Sequence, residues 1–241
     1  MNVVVSIGGS VLAPDLSAAE VREHADAIET LAADDHDLGV VVGGGSVARE
    51  YIGAARDLGA NEIELDQIGI EVTRLNARLL IAALRDRTRV VSAPPEDYEA
   101  AGHAIRSGEL AVMGGVAPAQ TTDAVSAALA EYVDADLLVY ATSVPGVYSA
   151  DPDVDPDAER FDRMSADELV DVIADGEMTA GAPAPIDLLA AKVIQRAELR
   201  TVVIDGTDPR RIVRAVRGED VRGTEVVPER VGDADPDRED R

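Results

Sequence analysis

Val3-Val4-Val5-Ser6-Ile7-Gly8-Gly9-Ser10 and Val40-Val41-Val42-Gly43-Gly44-Gly45-Ser46 decide how this chain reads. Each is a short apolar run, rich in β-branched residues, that stops at glycines with a helix-like stretch beyond. Glycine lets a backbone approach a bound phosphate closely, and the free N–H groups that open a helix supply donors and positive potential. A tight strand-to-helix turn would account for either loop alone. Two in the first fifty residues point to a place where two phosphate-bearing groups meet.

Outward from these loops, apolar runs alternate with helical periodicity to the end of the chain. Strands are expected at Val3–Ile7, Leu38–Val42, Arg89–Ser92, Leu110–Met113, Asp136–Ala141, Thr201–Asp205 and Thr224–Val227. Amphipathic helices are expected at Ser17–Ala33, Val47–Leu58, Glu62–Arg85, Thr122–Val133, Ser165–Ala174, Asp187–Glu198 and Pro209–Arg217. Ser17 with Glu20, and Ser165 with Glu168, have the spacing of capping boxes. Such alternation predicts a three-layer α/β/α sandwich around a mostly parallel sheet, with ligands at the carboxyl ends of its strands. Val147–Phe161 breaks the pattern and reads as a hairpin or surface flap around a Pro/Asp-rich centre. Thr179–Pro185 cannot be helical. The acidic stretch 229–241 reads as a disordered tail.

With 241 residues the chain can bury a large core. It has no cysteine, which excludes disulfides and thiolate metal sites. No apolar run approaches the ~18 residues of a membrane span, and the first residues enter a strand without a signal-peptide pattern; a cytoplasmic location is expected. The net charge is −25, with 47 acids against 22 basic residues. That field repels nucleic acid and anionic membranes, so neither is an expected partner. Only Lys192 among the basic residues is lysine. An acidic, lysine-poor chain reads as adapted to high salt, where ions screen self-repulsion. GC-rich codon usage would explain the arginines but not the acid excess.

Several residues near the loops could carry chemistry. Arg49 follows the second loop and could make a bidentate contact to a phosphate there, or be a surface arginine. Met113-Gly114-Gly115 ends another strand, and Thr121-Thr122-Asp123 opens the next helix. Two readings fit: Thr122 or Asp123 is the helix N-cap, worth about 1 kcal/mol, or the threonine hydroxyls donate to a phosphate or base while Asp123 organises cationic groups around the reacting phosphoryl. Asp66 suits a ribose diol or is one more surface acid. Lys192, the sole lysine, fits a site that needs a compact, mobile ammonium, or survives by chance.

Taken together, the ordered set of segments resembles the uridylate (UMP) kinases of the amino acid kinase superfamily, of the archaeal type. The segments are Ile7–Leu12, Val41–Arg49, Ile68–Ala77, Val112–Gly115, Thr121–Ala124, Gly146–Pro152 and Ile186–Lys192. The resemblance spans residues 1–228, read as a single domain. It implies an acceptor part over about 1–135 and an ATP part over about 136–228. It implies phosphoryl transfer from ATP, with Mg²⁺, to UMP, by a homohexamer. Gly44, Asp66 and the loop Gly114, Gly115, Val116, Ala117, Pro118, Ala119, Gln120 and Thr121 would contact UMP. Gly8, Gly9, Ser10, Gly45 and Arg49 would hold the ATP phosphates, and Thr142, Ser143, Tyr148 and Asp151 the adenosine. Asp123, Arg49 and Lys192 would be the catalytic set. Mg²⁺ would be held by phosphates and water, with no protein ligand.

Two departures from the family pattern stand out, one in the first strand and one in the adenosine segment. Bacterial relatives carry a lysine where this chain has Ser6, which leaves a cationic role for Lys192 to fill. Ser143 and Pro145 stand where relatives usually have Asn and Asp. The alternatives are another kinase of the superfamily, acting on carbamate, an amino acid or isopentenyl phosphate, or a non-catalytic nucleotide- or oxyanion-binding protein. The chain lacks a Phe-Gly-His after Gly-Gly-Gly-Ser, which argues against the isopentenyl phosphate type.

Overall fold

The valine-rich runs become the centre of a sheet because strands covered on both faces need apolar residues at every position. The computed structural model describes residues 1–150, 152, 154, 155, 157–177 and 186–228. Its strands are β1 (Asn2–Ile7), β2 (Asp37–Val42), β3 (Ala111–Met113), β4 (Leu137–Thr142), β5 (Arg163–Ser165), β6 (Thr201–Asp205) and β7 (Gly223–Val227). They form one sheet in the order β3-β2-β1-β4-β6-β7-β5. All neighbours run parallel except β6 and β7. Val5 pairs with Val40 on one side and Val139 on the other, and all three are buried.

The helices are α1 (Gly9–Leu12), α2 (Ala18–Ala33), α3 (Gly45–Asp57), α4 (Glu62–Leu84), α5 (Tyr98–Arg106), α6 (Thr122–Tyr132), α7 (Ala166–Glu177), α8 (Leu188–Arg196) and α9 (Arg210–Val216). On one face α4 packs against α2 and α3, and α2 against α9. On the other, α6 packs against α5 and α8, and α8 against α7. This is the three-layer arrangement expected. The chain moves from β1 to β2 in one direction and returns to place β4 on the other side of β1. The crevice between β1 and β4 is therefore a topological switch point, the usual ligand position on such sheets.

Some elements differ from expectation. Arg89–Ser92 forms only a single bridge, Val90 to Leu110, because two valines before a Pro-Pro pair are too short for a strand. Helix α5 was masked in the sequence by Gly102. Its backbone needs that glycine, since a Cβ there would lie 2.6 Å from the Tyr132 ring. The three-residue β5 is too short to show a period. The Ser17–Glu20 capping box does not form. Ser17 makes no side-chain cap bond, and Glu20 is turned inward, its Oε2 buried with no partner among the described residues. Ser165 and Glu168 do close their box, at 2.7 and 3.1 Å. The flap is a hairpin at its base: Ser149 N donates to Glu159 O at 2.9 Å and Phe161 N to Val147 O at 2.9 Å. Thr179–Pro185 and the 229–241 tail lie outside the described residues.

Candidate active site

The two glycine loops touch. Gly8 N donates to Ala141 O of β4 at 3.0 Å, across the switch point. A Cβ added at Gly9 would lie 2.3 Å from Gly45 N and 2.4 Å from Gly43 O. Gly45 has φ +66, and a Cβ there would meet Gly9 C at 2.6 Å. Any side chain at either position would drive the loops apart. The second loop is held from below by a residue that periodicity does not single out. Asn76, buried on α4, donates from Nδ2 to Gly43 O at 2.9 Å and Gly44 O at 3.2 Å. Arg49, exposed on the second turn of α3, donates to Ser10 Oγ at 3.3 Å. Gly8, Gly9, Ser10, Gly44, Gly45 and Arg49 thus lie together in one constellation.

The loop from Gly114 to Thr121 lies beside it and is braced at both ends. Gly114 and Gly115 are buried, Val116, Ala117 and Pro118 are half-buried, and Ala119, Gln120 and Thr121 are exposed. Gly115 N donates at 2.7 Å to Oγ1 of Thr73, whose own hydroxyl donates to Ile70 O at 2.6 Å. A Cβ on Gly114 would meet that oxygen at 2.4 Å. Asp66 Oδ2 accepts from Ala119 N at 2.8 Å, and Ala119 has φ +63. Tyr98 OH donates to Gln120 Oε1 at 3.0 Å. Asp66 therefore braces this loop through one carboxylate oxygen.

Asp123 sits in the first turn of α6. The residue keeps some exposed surface, yet its carboxyl group is set deep. Burial, and secondarily the Asp187 charge, push its pKa up to about 7. Tyr140, buried on β4, donates its hydroxyl to Asp123 O at 2.8 Å, and burial followed by the two carboxylates raises its own pKa well above the ordinary phenol. Thr121 caps α6, accepting from Ala124 N at 3.1 Å. Asp187 caps α8, accepting from Ala190 N at 2.9 Å, and also accepts a hydrogen bond from the Thr121 hydroxyl. The cap of α6 is thus Thr121, one or two residues ahead of the expected Thr122 or Asp123.

On the far side of β4, the Thr142 hydroxyl is engaged locally, donating to Val144 O at 2.8 Å and accepting from Val144 N at 3.0 Å. Ser143 is exposed and Tyr148 half-buried at the hairpin base. Asp151 lies outside the described residues. Ser6 is buried within β1. Lys192 is not drawn to the glycine loops. It is exposed on α8, and its ammonium donates to Gln195 at 3.2 Å. Gln195 in turn donates to Asp167 of α7. The reason is helical geometry: at ~100° per residue, position 192 lies about 140° around α8 from the Asp187 cap.

The constellation offers backbone donors, one arginine and a deep carboxylate at the carboxyl edge of a parallel sheet. That set can hold phosphates and neutralise charge as a phosphoryl group moves between them.

Comparison with known proteins agrees with this chemistry. Residues 1–205 match the model of the amino acid kinase family. The chain is 67% identical over 229 residues to the uridylate kinase of Haloarcula marismortui, covering 95% of this chain and 100% of that one. It is 67% identical to the uridylate kinase of Halobacterium salinarum, covering 95% and 94%. Among solved structures it is similar to uridylate kinase from Archaeoglobus fulgidus, with a TM-score of 0.84 and 46% identity over 94% of this chain and 100% of that one.

Proposed function

The chain belongs to the amino acid kinase family, and we propose that within it the chain is a uridylate kinase, moving the γ-phosphoryl group of ATP to UMP. The observation that carries this reading is likeness to uridylate kinases over nearly the whole chain, with every site-bearing segment inside the 1–205 span of the family match. The products are UDP and ADP, which places the reaction in pyrimidine nucleotide synthesis. The −25 charge and the lysine scarcity fit a halophilic origin and a cytoplasmic enzyme.

Two substrates meet at the switch point. The acceptor part holds UMP with Gly44, Asp66 and the Gly114–Thr121 loop. The ATP phosphates lie against Gly8, Gly9, Ser10 and Gly45, with Arg49 between the two. The adenosine lies towards Thr142, Ser143 and Tyr148. A UMP phosphate oxygen attacks the γ-phosphorus, and the bond to the ADP oxygen breaks. That oxygen is already a nucleophile, so the protein's task is positioning and charge neutralisation rather than strong base catalysis. Arg49 and the loop amides neutralise charge, and Asp123 orders the groups around the transferring phosphoryl. Mg²⁺ arrives as part of MgATP, held by phosphate oxygens and water.

The placement of Lys192 does not support a catalytic role for it. Apolar side chains exposed on or beside α3 and α4, namely Tyr51, Leu58, Ile63, Leu75 and Leu79, support contact between copies of the chain, and we assign the hexamer to that surface. Sedimentation equilibrium in molar KCl should give six times the chain mass.

The reaction itself is tested by incubating the protein with MgATP and UMP in molar KCl and separating the nucleotides. Equal amounts of UDP and ADP are expected. ADP without UDP contradicts the assignment.

A further inference from the structure

Asp187 has no part in the transfer as described, yet it bonds to the last residue of the loop assigned to UMP. Its Oδ1 caps α8 through Ala190 N at 2.9 Å. Its Oδ2 accepts the hydroxyl hydrogen of Thr121, and Thr121 caps α6 through Ala124 N at 3.1 Å. One carboxylate therefore joins the N-terminal ends of two helices. Thr121 is also the last residue of the loop that begins at Gly114, and Asp123 stands two residues beyond it.

We propose that Asp187 is a positioning residue for phosphoryl transfer, a strut from α8 that fixes the end of the Gly114–Thr121 loop and bears electrostatically on Asp123. The proposal rests on the uridylate kinase reading for its kinetic arm only. Among the described residues, the charged and titratable groups acting on Asp123 are few. From α8 there is Asp187, and from β4 there is Tyr140, whose hydroxyl goes to the Asp123 carbonyl. Neighbouring β1 presents Ser6, buried and neutral. Burial is the larger cause of the raised proton affinity of Asp123, and the like charge of Asp187 is the second. A carboxylate is an economical strut, because it accepts from a helix N–H and from a hydroxyl at the same time. Asn can keep the cap through its oxygen and reverse the other bond, donating from Nδ2 to the Thr121 hydroxyl oxygen, without the charge. The two functions can therefore be separated by substitution.

The titration arm follows the Asp123 carboxyl by NMR in the full-length chain labelled with [¹³Cγ]Asp, with Asp123→Asn identifying the resonance. In Asp187→Asn its midpoint should move to lower pH by roughly half a unit or more, while remaining above the ordinary carboxylate range because burial persists. An unchanged midpoint overturns the electrostatic part. The kinetic arm compares Asp187→Ala, Asp187→Asn, Thr121→Val and Thr121→Ser, with UMP and MgATP saturating. Asp187→Ala and Thr121→Val should each lower kcat by about tenfold or more. Asn at 187 and Ser at 121 should each recover most of that loss. The double variant Asp187→Ala/Thr121→Val should be no slower than the worse single variant, because both remove one strut. Additive losses, or wild-type kcat in either single variant, overturn the strut. If Asp187→Ala does not fold, Thr121→Val against Thr121→Ser decides the strut alone. A wild-type chain that does not turn over UMP contradicts the functional reading, and the titration arm then decides whether Asp187 acts on Asp123.

Discussion

Asp123 carries a cost to stability that depends on pH. Its pKa stands at about 7 against an ordinary 3.8. Between those values the folded chain holds a proton that the unfolded chain has released. Stability therefore falls as pH rises through that window, and above about 7 the full penalty applies, of the order of a few kcal/mol. Asp123→Asn keeps the shape without the charge. It should melt higher than the parent at pH 8, by an amount that fades as pH falls towards 4, and should lower turnover by about a hundredfold. Equal melting at pH 8 would show that the carboxylate is well solvated in the folded chain. Lys192 makes the opposite case. With its ammonium on Gln195, Lys192→Ala should leave kcat within about threefold, as surface substitutions usually do. A hundredfold loss in kcat would show that the side chain swings to the phosphates during turnover.

At the scale of elements, the glycine loops work because other elements hold them together. The strands and their glycine ends were legible in the sequence, since apolar runs and glycine are strong local signals. Arg49 and Asp123 could be located because they lie within a few residues of those signals. Thr73, Asn76 and Asp187 could not be picked out that way. Each sits on or at the start of an amphipathic helix, where a polar residue reads as solvent-facing, and each finds its partner tens of residues away in sequence. Asn76→Ala should leave the Gly43 and Gly44 carbonyls short of a buried donor, at a cost of about 1–3 kcal/mol. For a chain of this size that is a fall of roughly 3–10 °C in Tm, readable by calorimetry. A change within 1 °C, or roughly 0.3 kcal/mol, would mean that water takes over the bonds. Gly9→Ala tests the contact between the loops directly. Its new Cβ cannot share space with Gly45 N, so MgATP affinity by isothermal titration should weaken about tenfold or more. Unaltered affinity would show that the loops part without consequence.

The whole molecule carries a charge of −25, and its ion pairs do not cancel it. Most lie at the surface, such as Arg217 with Asp34 at 2.8 Å and Arg200 with Glu225 at 2.9 Å, where a pair contributes about 0–1 kcal/mol. Self-repulsion is therefore managed by the solvent. The Debye length is ~30 Å at 0.01 M salt and ~3 Å at 1 M, so Tm and turnover should both rise from dilute buffer to molar KCl. Equal values in both would make the acidic surface a matter of composition only. The central claim is that the crevice between β1 and β4 brings MgATP together with a uridine monophosphate. The most direct test is the initial rate of ADP release in molar KCl with saturating MgATP and, in turn, UMP, CMP, AMP, carbamate and glutamate. The account predicts a rate with UMP well above all the others. An equal or higher rate with any of them would contradict it.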